Sequence, residues 1–573
     1  MPSTTAPADR SLERAGLRIA GPPSVTAGVA ARLGESGLAR LAGGPPLVAE
    51  VSWAEAVPGD EVTDEATAQA ATGVMHVHGR RDGAPRGLAA DYLTLACTSL
   101  TVQGVLAAAL GRLRGSAVES VRTGVDLAGL LAVSQYLAAS TAEEDEAVPL
   151  APGGPPFTSA DGVPFEVETL DPVVWVGFWH RLGVPERRAA SAWRAFQFRY
   201  ATACSPLPDD LHERARAADW ASVRRAAERT GASVCPLWPL ADRLAEPRPA
   251  MPWTVATRAA ARPLPGSPGG PLEGLTVVEA GRRIQAPLTA HLLGLLGADV
   301  VRVEPPGGDP LRGMPPACGG LSARWLALNR GKRAVEIDIK SASGRDELCD
   351  LVADAAVFVH NWAPGAAQRL GLDDADLRRA NPGLVYAYTS GWAGRLPGAP
   401  LGTDFMVQAR TGVGEAVRPD GEPPAPSLMT LLDVLGGLLG AEAVLAGLLC
   451  RTRENRGVRA DSSLLGAAEE LTRSALRRSG EGLPARRPEG FRRPLRTQDG
   501  WVAVSDRDAG AVVPDEVRDV PTRQALDALR ARGARVTAVT DGLDAMTSDP
   551  RFAPLLTRDE HGAVAVPTPW RFA

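Results

Sequence analysis

Between residues 275 and 390 the apolar positions fall into short runs separated by stretches of helical length. LTVVEA (275–280) reads as a strand, followed by a turn and the helix-like run APLTAHLLGLLGA. DVVRVEPP opens a second strand after a turn at Gly297, and AVEIDIK (334–340), AAVFVHN (355–361) and LVYAYTS (384–390) read as three more. The stretch 341–353 starts at Ser341 or Ser343 and carries Glu347, Leu348 and Leu351 at helical intervals. Strands alternating with helices predict a largely parallel α/β sheet whose strand ends form a ligand crevice. The apolar stretch 431–449 is rich in Gly and Ala and holds Asp433 and Glu442, which fits a buried helix better than a membrane span.

Two stretches interrupt this pattern. The Pro-, Gly- and Ala-rich 243–271 resists a continuous helix or a central strand, and GEGLPARRPEGFRRPL ends the helical pattern near 478–494. The expected division is a partial large-domain repeat at 1–150, a small lobe at 151–247, a linker at 248–270, a full large domain with its helical connection at 271–490, and a shortened small lobe at 491–573. The repeat is visible in the text of the chain. Gln-Ala-x-Thr-Gly occurs at 69–73 and 408–412, and 32 residues after the shared glycine stand VLAAAL (105–110) and VLAGLL (444–449). FTSADG at 157–162 is similar to LRTQDG at 495–500, and GASVCPL at 231–237 loosely matches GARVTAV at 533–539. No first-half copy of the whole GLTVVEAG-to-YTSGW segment is found, so the duplication is partial.

Composition narrows the function. A chain of 573 residues with net charge -5 and pI near 5.9 lacks the basic field of a nucleic-acid binder. Lysine occurs only at 332 and 340, which makes those two positions worth noting. The six cysteines are irregularly spaced, with neither metal-ligand spacing nor a disulfide framework; a reduced, cytoplasmic protein without a metal or a membrane partner is the expectation. The N-terminal MPSTTAPADRSLERAG has no basic region leading into an apolar core. The glycines form neither GxGxxG nor a Walker loop, so nothing calls for a nicotinamide cofactor or ATP.

The ordered segments PLEGLTVVEAGRRIQAP, LGADVVRVEPPGGDP, LNRGKRAVEIDIK, NWAPGAAQRLGL, NPGLVYAYTSGW, TDFMVQARTG and LLDVLGGLLGAEAVLAGLL resemble the class III CoA-transferase family, also called the carnitine-dehydratase and bile-acid-inducible protein family. The resemblance covers 271–466. It implies an α/β fold with a Rossmann-type large domain and small α+β lobes, here partly duplicated within one chain. It also implies transfer of CoA from an acyl-CoA donor to a carboxylic-acid acceptor, with CoA as substrate and no tightly bound cofactor. The covalent role falls on Asp433 in LLDVLGG, with Gln285 beside the reacting oxygens and backbone donors at Gly436 and Gly437. Contacts to CoA fall on Ile284, Arg302, Asn329, Arg330, Lys332, Arg333, Asn361 and Arg369. Family members are interlocked homodimers, so the chain is expected as a homodimer or as a pseudo-dimer within one chain.

Other readings of these residues stand beside that one. Asp433 also suits a helix N-cap. The basic group at 330–333 also suits a solvated surface, and Tyr386 and Tyr388 are expected to pack structurally. Racemases of the family need a histidine where this chain has Thr403, a poor base near neutral pH; Asp404 next to it reads as a structural acid. Aligning the repeat without gaps sets Thr94 opposite Asp433, so the first half reads as a noncatalytic partner. A racemase or epimerase, or a noncatalytic CoA-binding scaffold, are the alternatives to transfer.

Overall fold

The computed structural model describes residues 12–573 except 15, 36–44, 58, 60, 268 and 513. The first half opens with a short strand (Leu12–Arg14), β1 (Leu17–Ala20), helix α1 (Pro23–Glu35) and β2 (Leu47–Ser52). Helix α2 (Glu65–Ala71), the long α3 (Tyr92–Leu113), β3 (Ser120–Gly124) and α4 (Val125–Ser140) follow. A small lobe comes next, with a three-stranded antiparallel sheet of Phe157–Thr158, Pro164–Glu168 and Ser233–Pro236 and four helices between its last two strands. Its core is aromatic: Trp175 stacks on Phe196 with ring centroids 4.0 Å apart, and Trp179 packs edge-on against Trp175 and Phe157.

The expected linker is not a plain connector. Residues 253–260 form β4, an edge strand, the place in a sheet that tolerates flanking prolines. The second half then runs through β5 (Thr276–Ala280), helix α5 (Gln285–Leu295), β6 (Asp299–Glu304), β7 (Arg333–Glu336), β8 (Val357–His360) and β9 (Val385–Ser390). The strand predicted at 334–340 is shorter because residues 337–340 turn into the next helix, which Ser341 caps through Gly344 N–H. Helix α6 (Asp404–Arg410), the 24-residue α7 (Leu431–Glu454), β10 (Arg456–Ser463) and α8 (Leu464–Gly480) complete this large domain. A second small lobe repeats the three-stranded sheet with Leu495–Arg496, Trp501–Val504 and Val536–Ala538. The chain ends in β11 (Arg571–Phe572).

The main sheet has the order β7-β6-β5-β8-β9-β10-β4, parallel throughout except for β4. The first-half sheet is a reduced version: β1, β2 and β3 are parallel, and β11 closes its edge antiparallel to β3. The two halves therefore exchange strands. The strand that ends the first half joins the second sheet, and the strand that ends the second half joins the first. Each exchanged strand has a Pro-Trp pair at its start, with Trp253 the first residue of β4 and Trp570 just ahead of β11; the Trp253 indole donates to Glu442 and the Trp570 indole to the Leu100 carbonyl.

Helices α3 and α7 pack against each other at the centre of the molecule. Both are long and apolar enough to cross a membrane by length and composition, but nearly all of that surface is buried here in protein. Gln103 on α3 donates to the Leu438 carbonyl at 3.0 Å, and Ser99 donates to Glu442 at 2.9 Å, so the contact is registered by polar bonds as well as apolar packing.

Candidate active site

Asp433 lies in the first turn of α7. Thr430, the residue before the helix, has φ 53 and makes no side-chain cap, which leaves the first amides of α7 in need of acceptors. Asp404, the first residue of α6, supplies one: its carboxylate accepts the Asp433 amide at 2.7 Å and the Gln408 side-chain amide. Gln408 in turn brackets Ser427, accepting its N–H at 2.8 Å and donating to its carbonyl at 2.9 Å. Asp433 is thus the third residue of the helix and not its N-cap, which corrects the capping alternative; the cap comes from another helix.

The first half carries the same brace. Glu65 accepts the Leu93 and Thr94 amides at 2.8 and 2.7 Å and the Gln69 side chain at 2.9 Å, while Gln69 brackets Leu88. Glu65 and Thr94 are 29 residues apart, as are Asp404 and Asp433; Gln69 and Leu88 are 19 apart, as are Gln408 and Ser427. The motif glycines, Gly73 and Gly412, both take left-handed backbone (φ 81 and 75), which explains why each copy ends in glycine. Thr94 therefore stands where Asp433 stands.

One difference separates the two copies. The Thr94 hydroxyl donates to Glu65 at 2.6 Å and closes the network, whereas Asp433 brings a second acid beside Asp404. Burial, then the charge of Asp404, push the Asp433 carboxyl well above the usual aspartate range, against the pull of Arg283. Burial likewise pushes Asp404 up. Among the described residues the Asp433 carboxylate accepts no hydrogen bond, and the residue is partly open to solvent.

The surroundings of Asp433 come from both halves. Arg283, in the left-handed region at φ 60, immediately precedes the Ile284-Gln285 turn and carries the positive charge facing Asp433. Its guanidinium lies 5.2 Å from the Tyr200 ring of the first small lobe. Glu168, on a strand of that same lobe, also acts on Asp433 and accepts from Arg199 at 3.1 Å and from the Thr403 hydroxyl at 3.0 Å. Thr403 offers no base at that position. Arg283, Glu168 and Tyr200 were missed in the sequence. The arginine pair in VEAGRRIQAP was a signal for the first; nothing local marks the other two.

The remaining candidates separate by burial. Ile284 is buried before the first turn of α5, and Gln285, also buried, sets its amide 3.5 Å from the Ser390 carbonyl and against Gly436. Gly436 and Gly437 lie beyond the first four amides of α7, inside its hydrogen-bonded ladder, and serve as contact points for α5; their expected role as backbone donors is corrected by that position. Arg302 is buried on β6 and is held by Glu279, Glu304 and Asp309. Lys332 is buried too, donating at 2.8 Å to Glu279, the Pro287 carbonyl and Asn329, and burial lowers its ammonium to about 8. Asn329 also donates to the Trp325 carbonyl. These three residues, expected to touch phosphate, instead fix β5, β6 and α5 from within, because the buried Glu279 needs cations beside it.

Asn361 accepts the Arg282 amide at 2.8 Å and donates to the Arg282 carbonyl at 2.9 Å, bracing the turn ahead of Gln285. Arg330 is half-buried and donates to the Val564 carbonyl at 3.1 Å, while Arg333 and Arg369 are exposed. Tyr386 bonds His360 at 2.7 Å and Tyr388 donates to the Trp362 carbonyl at 3.2 Å, both as internal packing.

A mostly parallel α/β domain that sets Asp433 at a helix start, its carboxylate accepting no hydrogen bond among the described residues, beside the small lobe of a reduced copy defines an internally duplicated α/β protein with an acidic centre. The family model for CoA-transferase family III matches residues 60–258 and again 272–553, and the chain belongs to that family. It is 32% identical over 215 residues to an acetyl-CoA:oxalate CoA-transferase of Acetobacter aceti, covering 37% of this chain and 55% of that one. To a succinyl-CoA:glutarate CoA-transferase of Mus musculus it is 34% identical over 199 residues, covering 34% and 45%. The chain thus spans about half the length of these relatives. A crystal structure of a CAIB/BAIF family protein from Brucella suis superposes with TM-score 0.47 at 25% identity, covering 53% of this chain and 93% of that one.

Proposed function

We propose that this chain is an acyl-CoA:carboxylate CoA-transferase in which Asp433 carries the covalent chemistry. The observation that carries the proposal is the contrast at the paired position: Thr94 is bonded to its brace, whereas Asp433 is an acid with its amide held by Asp404 and its carboxylate without a hydrogen bond among the described residues. The relatives named as CoA-transferases support the reaction class.

In the proposed sequence the Asp433 carboxylate attacks the thioester carbonyl of the donor, forming a mixed anhydride and releasing CoA thiolate. The thiolate then attacks the Asp433 carbonyl of the anhydride, leaving an aspartyl-CoA thioester and the free donor acid. The acceptor carboxylate attacks this thioester, thiolate leaves again, and its attack on the acceptor's acyl carbon regenerates the Asp433 carboxylate. Each bond made matches one broken, and no net proton is taken up.

Within this reading Arg283 stabilises charge on the reacting oxygens, and the charge of Glu168 adds to that of Asp404 in raising the Asp433 carboxyl. Arg333 and Arg369 remain the candidates for the CoA phosphates, because both are exposed, whereas Arg330 is half-buried and held by the Val564 carbonyl and Asp559. CoA enters and leaves as substrate, with no resident cofactor. Intact-mass measurement of the full chain with a panel of acyl-CoAs tests the proposal. An acyl or CoA adduct that Asp433→Asn abolishes is the expected result; CoA binding without any adduct overturns it in favour of a racemase or a scaffold.

A further inference from the structure

A cavity of about 230 Å³ lies not at Asp433 but at its counterpart, Thr94. Its walls come from α1 (Ser24, Gly28), the start of α3 (Thr94, Leu95) and α8, with Arg487 from the connection to the second small lobe. The cavity thus occupies the acid centre's place in the reduced half, where the carboxylate has been replaced by a hydroxyl.

Cations dominate the wall from α8. Arg473 pairs with Glu470, which also holds the buried Arg32, and Asp91 pairs with Arg492 at 2.7 Å and more loosely with Arg487 at 3.7 Å. Those acids are already matched. Arg477 makes no ion pair or hydrogen bond through its guanidinium among the described residues, and Arg478 donates only to the Pro484 and Ala485 carbonyls. The Arg487 Nε is buried without a partner. Glu35, exposed at the end of α1, is the remaining acid in the lining. Between these groups the surface is apolar, formed by Ala31, Ala89, Leu95, Leu471 and Ala475.

We infer that this cavity is a noncatalytic binding site for a small organic acid, its carboxylate on Arg477, Arg478 and Arg487 and its short aliphatic body over Leu95, Leu471 and Ala475. Planar guanidinium groups pair with a carboxylate through two parallel hydrogen bonds, and the apolar floor selects against a bare inorganic anion. No covalent step follows there, because Thr94 provides no carboxylate to attack a thioester.

Calorimetric titration of the full chain with hexanoate, in the absence of CoA, tests the inference without relying on turnover. Saturable binding is expected in the parent protein and in Asp433→Asn. It should weaken by about tenfold or more in the Arg477→Ala/Arg478→Ala protein, and also in Ser24→Trp, which narrows the cavity from the opposite wall. Melting curves check that both variants fold. Inorganic phosphate serves as the second probe and should compete weakly. The inference is overturned if hexanoate does not bind, if binding survives both changes, if Asp433→Asn abolishes it, or if phosphate displaces hexanoate equally well. None of these outcomes bears on whether Asp433 forms a covalent adduct.

Discussion

At the scale of single residues, the site is governed by two acids held closer than their charges favour. Asp404 is needed as a cap for α7, and after burial itself its charge is what raises the Asp433 carboxyl. The rate of transfer should therefore rise with pH as Asp433 ionises. Asp404→Asn, which keeps an oxygen for the cap but removes the charge, should move the midpoint of the pH–rate profile about one unit towards acid; an unmoved midpoint would count against this coupling. Stability has the opposite dependence. Between the ordinary aspartate value near about 4 and the raised value, the folded state holds a proton that the unfolded chain has released, so stability falls as pH rises through that window. Asp433→Asn should flatten this fall and, near neutral pH, stabilise the protein by about 1–2 kcal/mol while lowering transfer on the order of 10³-fold or more. Paired denaturation curves at two pH values and a rate assay measure both effects.

At the scale of elements, α5 and α7 approach closely because glycine lines the contact. A Cβ at Gly437 would stand 2.9 Å from the Leu288 Cβ and 3.0 Å from the Gln285 carbonyl oxygen, neither of which can swing away. Alanine is the better helix former, so Gly437→Ala on an isolated helix would stabilise. Here overpacking is the larger effect, and a loss of about 1–3 kcal/mol is expected in urea denaturation. The same contact carries Gln285 to the first turns of the Asp433 helix, so this substitution should lower the transfer rate as well.

At the scale of the whole molecule, the acidic centre is assembled from both halves. Glu168 and Tyr200 come from the first small lobe, and β4, the last strand of the first half, completes the sheet of the second. Residues 272–573 expressed alone should lack transfer activity and expose the β10 edge, a template for aggregation. Co-expression with residues 1–271 should restore a complex that purifies together and carries activity. Full activity of 272–573 alone would exclude a role for the first half in the site.

Much of this was legible in the chain itself. The five strands between 275 and 390, the buried helix over Asp433, the Gln-Ala-x-Thr-Gly repeat and the pairing of Thr94 with Asp433 all depend on short-range periodicity or on spacing that duplication preserves. Tertiary structure decided what those patterns leave open. Arg302 and Lys332 look like any basic residues in sequence, and became internal ties because their strand and turn face the buried Glu279. The linker became an edge strand because β10 offered an unpaired edge, and Asp433 proved to be capped from α6 because Thr430 leaves its amides unmet. Glu168 joined the site from a distant part of the chain. Local pattern reflects the geometry of a helix or strand, whereas partner choice across a fold depends on which buried charges and open edges are brought together, and that is a property of the folded whole.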